Sequence, residues 1–325
     1  MSENKKSHIT SVGGQALIEG VMMQGPRGVA TAVRNQKGEI ITKYHDFKSI
    51  RTKNKFFNLP IIRGIIAFFE SMIVGYKVLT YSAEASGMDD MEDVEMNKFE
   101  KWITDKLGDK FMDIVMVIGS VLGFALAFLI FFYLPVLVFK LINDATGGAI
   151  TAWQGTIEGL IKIVIFVLYM YAVSHMSDIK RLFQYHGAEH KSIACYEAGM
   201  ELTVENVKKC TRFHPRCGTS FIFVMLILGI IVVSLLSLVV PEELKSNTVA
   251  WMCIKLPCIP LIMGIGYEFI KYAGKHDNLL VKILSAPGLW MQRITTKEPD
   301  DDIIEVGITS IKAVITDNPE DDEIR

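Results

Sequence analysis

The sequence has no charged residue between Ile114 and Phe139, and none between Gly218 and Val240, stretches of 26 and 23 residues. Uncharged runs of that length exceed what a soluble core needs and are long enough to cross a hydrocarbon layer. Other features are scarce as well. Net charge is only −2, so no bulk electrostatic case for nucleic acid exists and none is expected as a partner. The five cysteines are Cys195, Cys210, Cys217, Cys253 and Cys258, an odd count that argues against a secreted disulfide framework. Cys253 and Cys258 fall in an apolar stretch and read as small buried residues. Residues 1–12 are polar with no apolar signal core after them, so insertion is expected to fall to the first spanning helix. No glycine cluster has phosphate-loop or dinucleotide spacing.

What is present is a sharp partition. Half the residues are hydrophobic (50%) and mean hydropathy is +0.31, yet the apolar runs alternate with strongly charged segments. Two further spans read as Thr156–Met176 and Thr248–Ile270. The former carries Glu158 and Lys162, four apart and able to pair on one helix face. The latter contains Lys255, Pro257, Pro260, Gly264 and Gly266, so a bend is expected between 257 and 266, with Lys255 seeking Glu158 or another polar partner. No Lys or Arg lies between Ile142 and Trp153, and only Lys245 between Pro241 and Asn247. Residues 177–217 instead carry Lys180, Arg181, Lys191, Lys208, Lys209, Arg212 and Arg216. The positive-inside rule then places that loop and both termini in the cytoplasm of a multi-pass cell-membrane protein.

The fold class expected is mainly α, a polytopic membrane protein with about four transmembrane helices, a small N-terminal β-hairpin and cytoplasmic amphipathic helices. Residues 1–60 form the N-terminal segment. Its hairpin spans 28–47 around Asn35-Gln36-Lys37-Gly38, with a glycine-rich, turn-like lead at 13–26. Residues 61–110 hold an amphipathic helix and an acidic linker (Asp89, Asp90, Glu92, Asp93, Glu95). Arg63, Glu70 and Lys77 recur every seven residues on that helix. It reads as lying on the inner membrane surface or packed against the bundle, with a fifth span as the alternative. Residues 111–272 are the four-helix region with the 177–217 loop. Residues 273–325 are a C-terminal amphipathic segment, broken at Pro287-Gly288, followed by isoleucines at helical spacing and an acidic tail expected to fray.

The chemistry concentrates in 177–217. Ser177 reads as the cap of a helix ending near Gly199. His186 and His190 sit four apart, which puts two imidazoles on one face where they can bind one divalent metal. Glu189 lies beside them as a candidate general base, and the His-x-x-Glu-His order is that of the inverted zincins. Further ligands are on offer from His214 and Cys217, and from Glu197 two turns along the same face. A divalent ion, zinc by this donor set, is the expected cofactor. Pro215 should force a turn before the span at Gly218, folding His214 and Cys217 back over the helix, with residues 13–26 covering the same spot. Glu19 is a further candidate from that segment.

The stretches GGQALIEGVMMQGP, YHGAEHKSIACYE, TRFHPRCGTSF and APGLWMQRITTKEPDDD resemble the YqhQ-like family, a domain of unknown function numbered 1385, over roughly residues 10–316. The resemblance implies a bacterial, membrane-embedded protein of a kind commonly labelled a metal-dependent enzyme, with no substrate attached.

The leading reading is therefore a metal-dependent, hydrolytic membrane enzyme with its site at the cytoplasmic face. The lipid bilayer is an expected partner. The alternatives are a non-catalytic scaffold, in which a metal or polar knot staples the loop to the N-terminal segment, and a transporter, prompted by Glu158, Lys162 and Lys255. Reporter fusions at Asn143 and Ser246 are expected to read outside, and those at Lys208 and Arg325 inside. An outside signal at Lys208 would reverse the orientation.

Overall fold

A computed structural model describes residues 9–87 except 48 and 53, and 110–322 except 274, 275, 277, 317, 319 and 320. The acidic linker lies outside the described residues. The chain divides into two compact units, one of Met1–Met88, Tyr169–Leu228 and Ile259–Arg325, the other of Asp89–Leu168 and Gly229–Cys258.

The first unit is built on a four-stranded antiparallel sheet in sequence order: β1 Gly13–Leu17, β2 Gly20–Gly25, β3 Gly28–Arg34 and β4 Ile40–His45. The hairpin expected at 28–47 is β3–β4. The glycine-rich lead is no mere approach to it but two more strands, joined at Ile18-Glu19, where Glu19 takes φ 50°. Period-2 alternation is hidden in β2 because both its faces are covered, and β1 opens on two exposed glycines that carry no alternation at all. Val21 and Met23 enter a core with Ala30 and Ala32 on one face. Leu17, Met22 and Val29 enter a second cluster on the other.

The first face is closed by α2 (Ser177–Glu197) and α5 (Asp301–Val314), linked through the short α3 (Val204–Lys209) and through α4 (Leu279–Thr295). Ser177 is the first helical residue of α2 rather than its cap, and Gly199 ends the turn at φ 64°. From α5, Ile303, Ile304 and Ile311 are fully buried against the sheet, each contributing about 1.5–3 kcal/mol. The acidic tail does not fray at Asp322, which is buried and accepts a 2.6 Å hydrogen bond from Thr10 Oγ1. Nor is α4 broken at Pro287. It runs through that residue, with Gly288 allowing its backbone to sit against Ser220.

The second face is covered by α1 (Ile62–Ser86), through Val74 and Val78. Two of its heptad-spaced charges are spoken for. Arg63 pairs with Glu268, and Glu70 accepts from Ser49, the Ile50 amide and Arg51. Phe69, Met72, Ile73 and Tyr76 on its outer side stay exposed. Among the described residues, four helices are long and apolar enough to cross a membrane, and α1 is not one of them: Ile118–Ala145, Thr151–Val173, Gly218–Val239 and Thr248–Ala273.

The first candidate span passes through a π-helical turn at Leu129–Tyr133. Pro135, just after it, cannot donate back and would crowd the carbonyl four residues earlier, and the wider turn relieves both. The fourth span is interrupted at Leu256-Pro257, between helices Thr248–Lys255 and Cys258–Ala273. The second of these runs unbroken through Gly264 and Gly266. The two glycines admit neighbours, Ile61 and Met225, rather than a bend. Cys253 is exposed and Cys258 half-buried, so neither is the buried filler their sequence context suggested.

In the second unit the buried Glu158 carboxylate accepts from Gln154 Nε2 at 2.8 Å, Trp251 Nε1 at 3.0 Å and Lys255 Nζ at 2.7 Å. Lys162 does not take it. Its Nζ lies 4.9 Å from the Phe132 ring centre instead. Lys255 and Trp251, one turn apart on the fourth span, satisfy the carboxylate from one side. Removing one member of a buried pair strands the other charge. Glu158→Leu is therefore expected to cost about 3–5 kcal/mol in unfolding experiments in lipid nanodiscs, with Glu158→Leu/Lys255→Met recovering most of the loss.

Candidate functional site

The site begins with the way α2 is crossed. The chain after α4 passes over α2 in extended form, and the Lys297 amide donates to the Phe183 carbonyl at 2.9 Å. That crossing lies against Gly187, where any Cβ would run into the Lys297 carbonyl oxygen. The glycine between the two histidines thus admits residues 295–299 and brings the Thr295 carbonyl to His186 Nδ1 at 2.9 Å. One turn on, His190 Nδ1 meets the Arg212 carbonyl at 2.6 Å. A carbonyl only accepts, so both Nδ1 atoms carry a proton, and the Nε2 atoms are the ring nitrogens turned into the site.

Those nitrogens converge with a thiol. Residues 211–217 turn rather than continue as helix, as Pro215 requires, and helix resumes at Gly218. The turn is clamped by Gln292 of α4, fully buried. Gln292 accepts from the His214 amide at 2.8 Å, donates to the His214 carbonyl at 2.7 Å and reaches Ser220 Oγ at 3.1 Å. Cys217 Sγ then lies 3.1 Å from His186 Nε2. One ligand atom each from His186, His190 and Cys217 falls within 4.8 Å of the others. His190 Nε2 is buried with no hydrogen-bond partner among the described residues. Burial holds the His190 imidazole below its ordinary pKa although Cys217 pulls the other way, which keeps it in its ligand form. Imidazoles fixed through their far nitrogen, a soft sulfur and a buried, unpartnered ring nitrogen are what a zinc-type ion takes. The three side chains could hold one.

The other candidates divide. Glu189 is 5% exposed and faces β1, its carboxyl lying against the Gly14 backbone. A Cβ on Gly14 would lie 2.6 Å from the Met22 carbonyl oxygen and 3.0 Å from Glu189 Cδ, so only glycine brings the strand this close. Burial raises the Glu189 carboxyl to about 7, against the pull of His186 and the Gly14 amide. His214 is near, its ring centre 5.6 Å from that of His190. Its Nε2 is turned to Glu197 at 3.6 Å and to Arg216 at 3.4 Å. Glu197 is not brought to the three-atom cluster. It pairs with Arg216 and accepts from the Thr10 amide at 3.0 Å. Burial would raise its pKa, but His214 and Arg216 together hold it below the usual range. Glu19 is elsewhere, paired with Arg181 and Tyr185.

A cavity of about 450 Å³ opens beside the cluster. His186, Glu189, His190, His214 and Cys217 line it, together with Gly13–Ala16 of β1 and the first turn of the third span. The sequence reading did not find Gln292, Gly187, or the carbonyls of Thr295 and Arg212. Gly187, sandwiched inside the motif, was the one signal available.

Residues 59–317 match the family described as "Protein of unknown function (DUF1385)". The chain belongs to DUF1385. The match takes in every residue of the cluster and its clamp. The Bacillus subtilis (strain 168) protein called "Uncharacterized protein YqhQ" is 36% identical over 310 residues, covering 93% of this chain and 92% of that one. No solved structure matches. In this DUF1385 chain the Gly187 crossing offers a direct check. Gly187→Ala is expected to cost about 1–3 kcal/mol in thermal unfolding, whereas Gly13→Ala, where a Cβ meets nothing within 4 Å, should be near neutral.

Proposed function

We propose that this protein is a metal-dependent hydrolase of the cell membrane, with both termini and its site on the cytoplasmic side. His186, His190 and Cys217 would hold a zinc-type ion, and Glu189 would act as general base. The observation that carries this reading is the pairing of three converging ligand atoms with a cavity beside them. Structural zinc sites are closed by four protein ligands, whereas catalytic ones take three and leave a side open. A bound ion supplies Lewis acidity toward an ester, amide or phosphoryl group.

The chain's own groups do the rest. The Glu189 carboxylate, held against β1 at Gly14, takes a proton from water as the water oxygen adds to the electrophile, then returns that proton to the leaving group. His214, Glu197 and Arg216 form a hydrogen-bonded group behind the cluster that orients the 212–217 turn. Orientation rests on the basic 177–217 loop.

Metal analysis of the purified protein tests this. Wild type is expected to carry roughly stoichiometric zinc, His186→Ala/His190→Ala almost none, and Glu189→Gln nearly the wild-type amount. Equal and negligible zinc in wild type and the double variant would end the hydrolase reading and leave a polar knot, the scaffold alternative.

A further inference from the structure

A second cavity, of about 310 Å³, lies next to the first. Its walls are mainly apolar, from Val224 of the third span, Phe269, Ile270 and Ala273 of the last turns of the fourth and Val281 of α4, with Ser220, His276 and Ser285 as polar members. Arg216 lines both cavities, so the two adjoin at that residue. The apolar one is framed by the ends of two candidate spans and by a helix starting six residues after the fourth span stops. The outward side of α4 carries exposed Leu279, Leu280, Ile283 and Trp290, a pattern that settles a helix into the acyl–headgroup boundary.

We propose that the substrate is a membrane lipid with a hydrolysable ester in its head region. Its acyl chain would occupy this slot, and its head would pass Arg216 into the cavity of His186, Glu189, His190 and Cys217. The size of the slot favours a lipid over a transmembrane peptide. A helix is about 10–12 Å across with a 5.4 Å pitch, so one turn alone fills roughly 420–610 Å³. The slot is smaller than that yet within the range of ligand pockets, roughly 300–1,000 Å³. A narrow, flexible hydrocarbon chain fits such a space, and its burial there is favourable by about 0.8 kcal/mol per methylene removed from water. A slot walled mainly by aliphatic and aromatic groups that adjoins the cavity of the His–Cys cluster at Arg216 matches an amphiphile lying across the two. This proposal rests on the hydrolase reading for what happens to the lipid, but the slot itself uses none of the metal-type ligands.

The test uses the full chain in nanodiscs containing phosphatidylglycerol with a diazirine in one acyl chain. The discs are irradiated and the labelled peptides are mapped. Val224 is only 4% exposed, so bulk lipid cannot reach it, whereas Leu235 and Leu238 on the same span are outward-facing. Label is expected on Val224 as well as on the outward positions. Filling the slot by Ala273→Phe, or from α4 by Ser285→Leu, should lower the Val224 label at least about fivefold while the Leu235 and Leu238 label persists. His186→Ala/His190→Ala should label Val224 as wild type does. Label confined to the outward residues would overturn the proposal, as would a Val224 label that neither filling variant reduces. So would displacement of the Val224 label by an excess of a single-span peptide, which would assign the slot to protein. Normal Val224 labelling in a protein that binds no zinc would sustain the slot and overturn only the hydrolase reading.

Discussion

Two hydrogen bonds from imidazole to main chain, His186 to Thr295 and His190 to Arg212, set the character of the whole site. Each fixes a tautomer and a ring plane at once, so the free nitrogens are aimed before anything binds. Neither carbonyl is local. One arrives at the end of α4 and the other in the turn before the third span, so the site exists only where α2, α4 and that turn are packed together. The Gly187 crossing and the Gln292 clamp are the means of that packing, one admitting the chain and the other locking it.

The sheet serves the same end. By sandwiching four short strands between α1 on one side and α2 with α5 on the other, the fold gives β1 a rigid seat from which Gly14 can press on Glu189. A loop in its place would carry the same amide with less definite aim. Burial of Glu189 and the closeness of the strand are thus one fact seen from two sides, and the raised carboxyl follows from the burial.

Much of this was legible in the sequence where a physical cost leaves a periodic mark. The candidate spans announce themselves because lipid tolerates no unpaired charge, and Lys255 finds Glu158 for the same reason. His186, His190 and Cys217 were readable because their chemistry resides in side chains. What escaped were interactions with no letter of their own, such as the carbonyls of Thr295 and Arg212, or a buried glutamine clamp 78 residues from the histidine it holds. Strand β2 escaped because covering both faces of a sheet erases the alternation that betrays a strand, and β1 because its leading glycines carry no side chain to alternate. Lys162 went to an aromatic face, and not to Glu158, because a more distant lysine and tryptophan already satisfied that carboxylate.

The Gln292 clamp has a consequence for how the molecule is made. Residues are added at roughly 5–20 per second, so Gln292 leaves the ribosome several seconds after His190, once the last candidate span has been synthesised. Until then His214 has no clamp and His186 no carbonyl. The sheet face holding Val21 and Met23 still waits for Ile303, Ile304 and Ile311 of α5. A chain that stops short keeps an unfinished cluster and a sticky, half-covered sheet, the features by which proteases select their prey. Assembly of the site therefore waits on translation through Thr295, and closure of the sheet face on translation through α5.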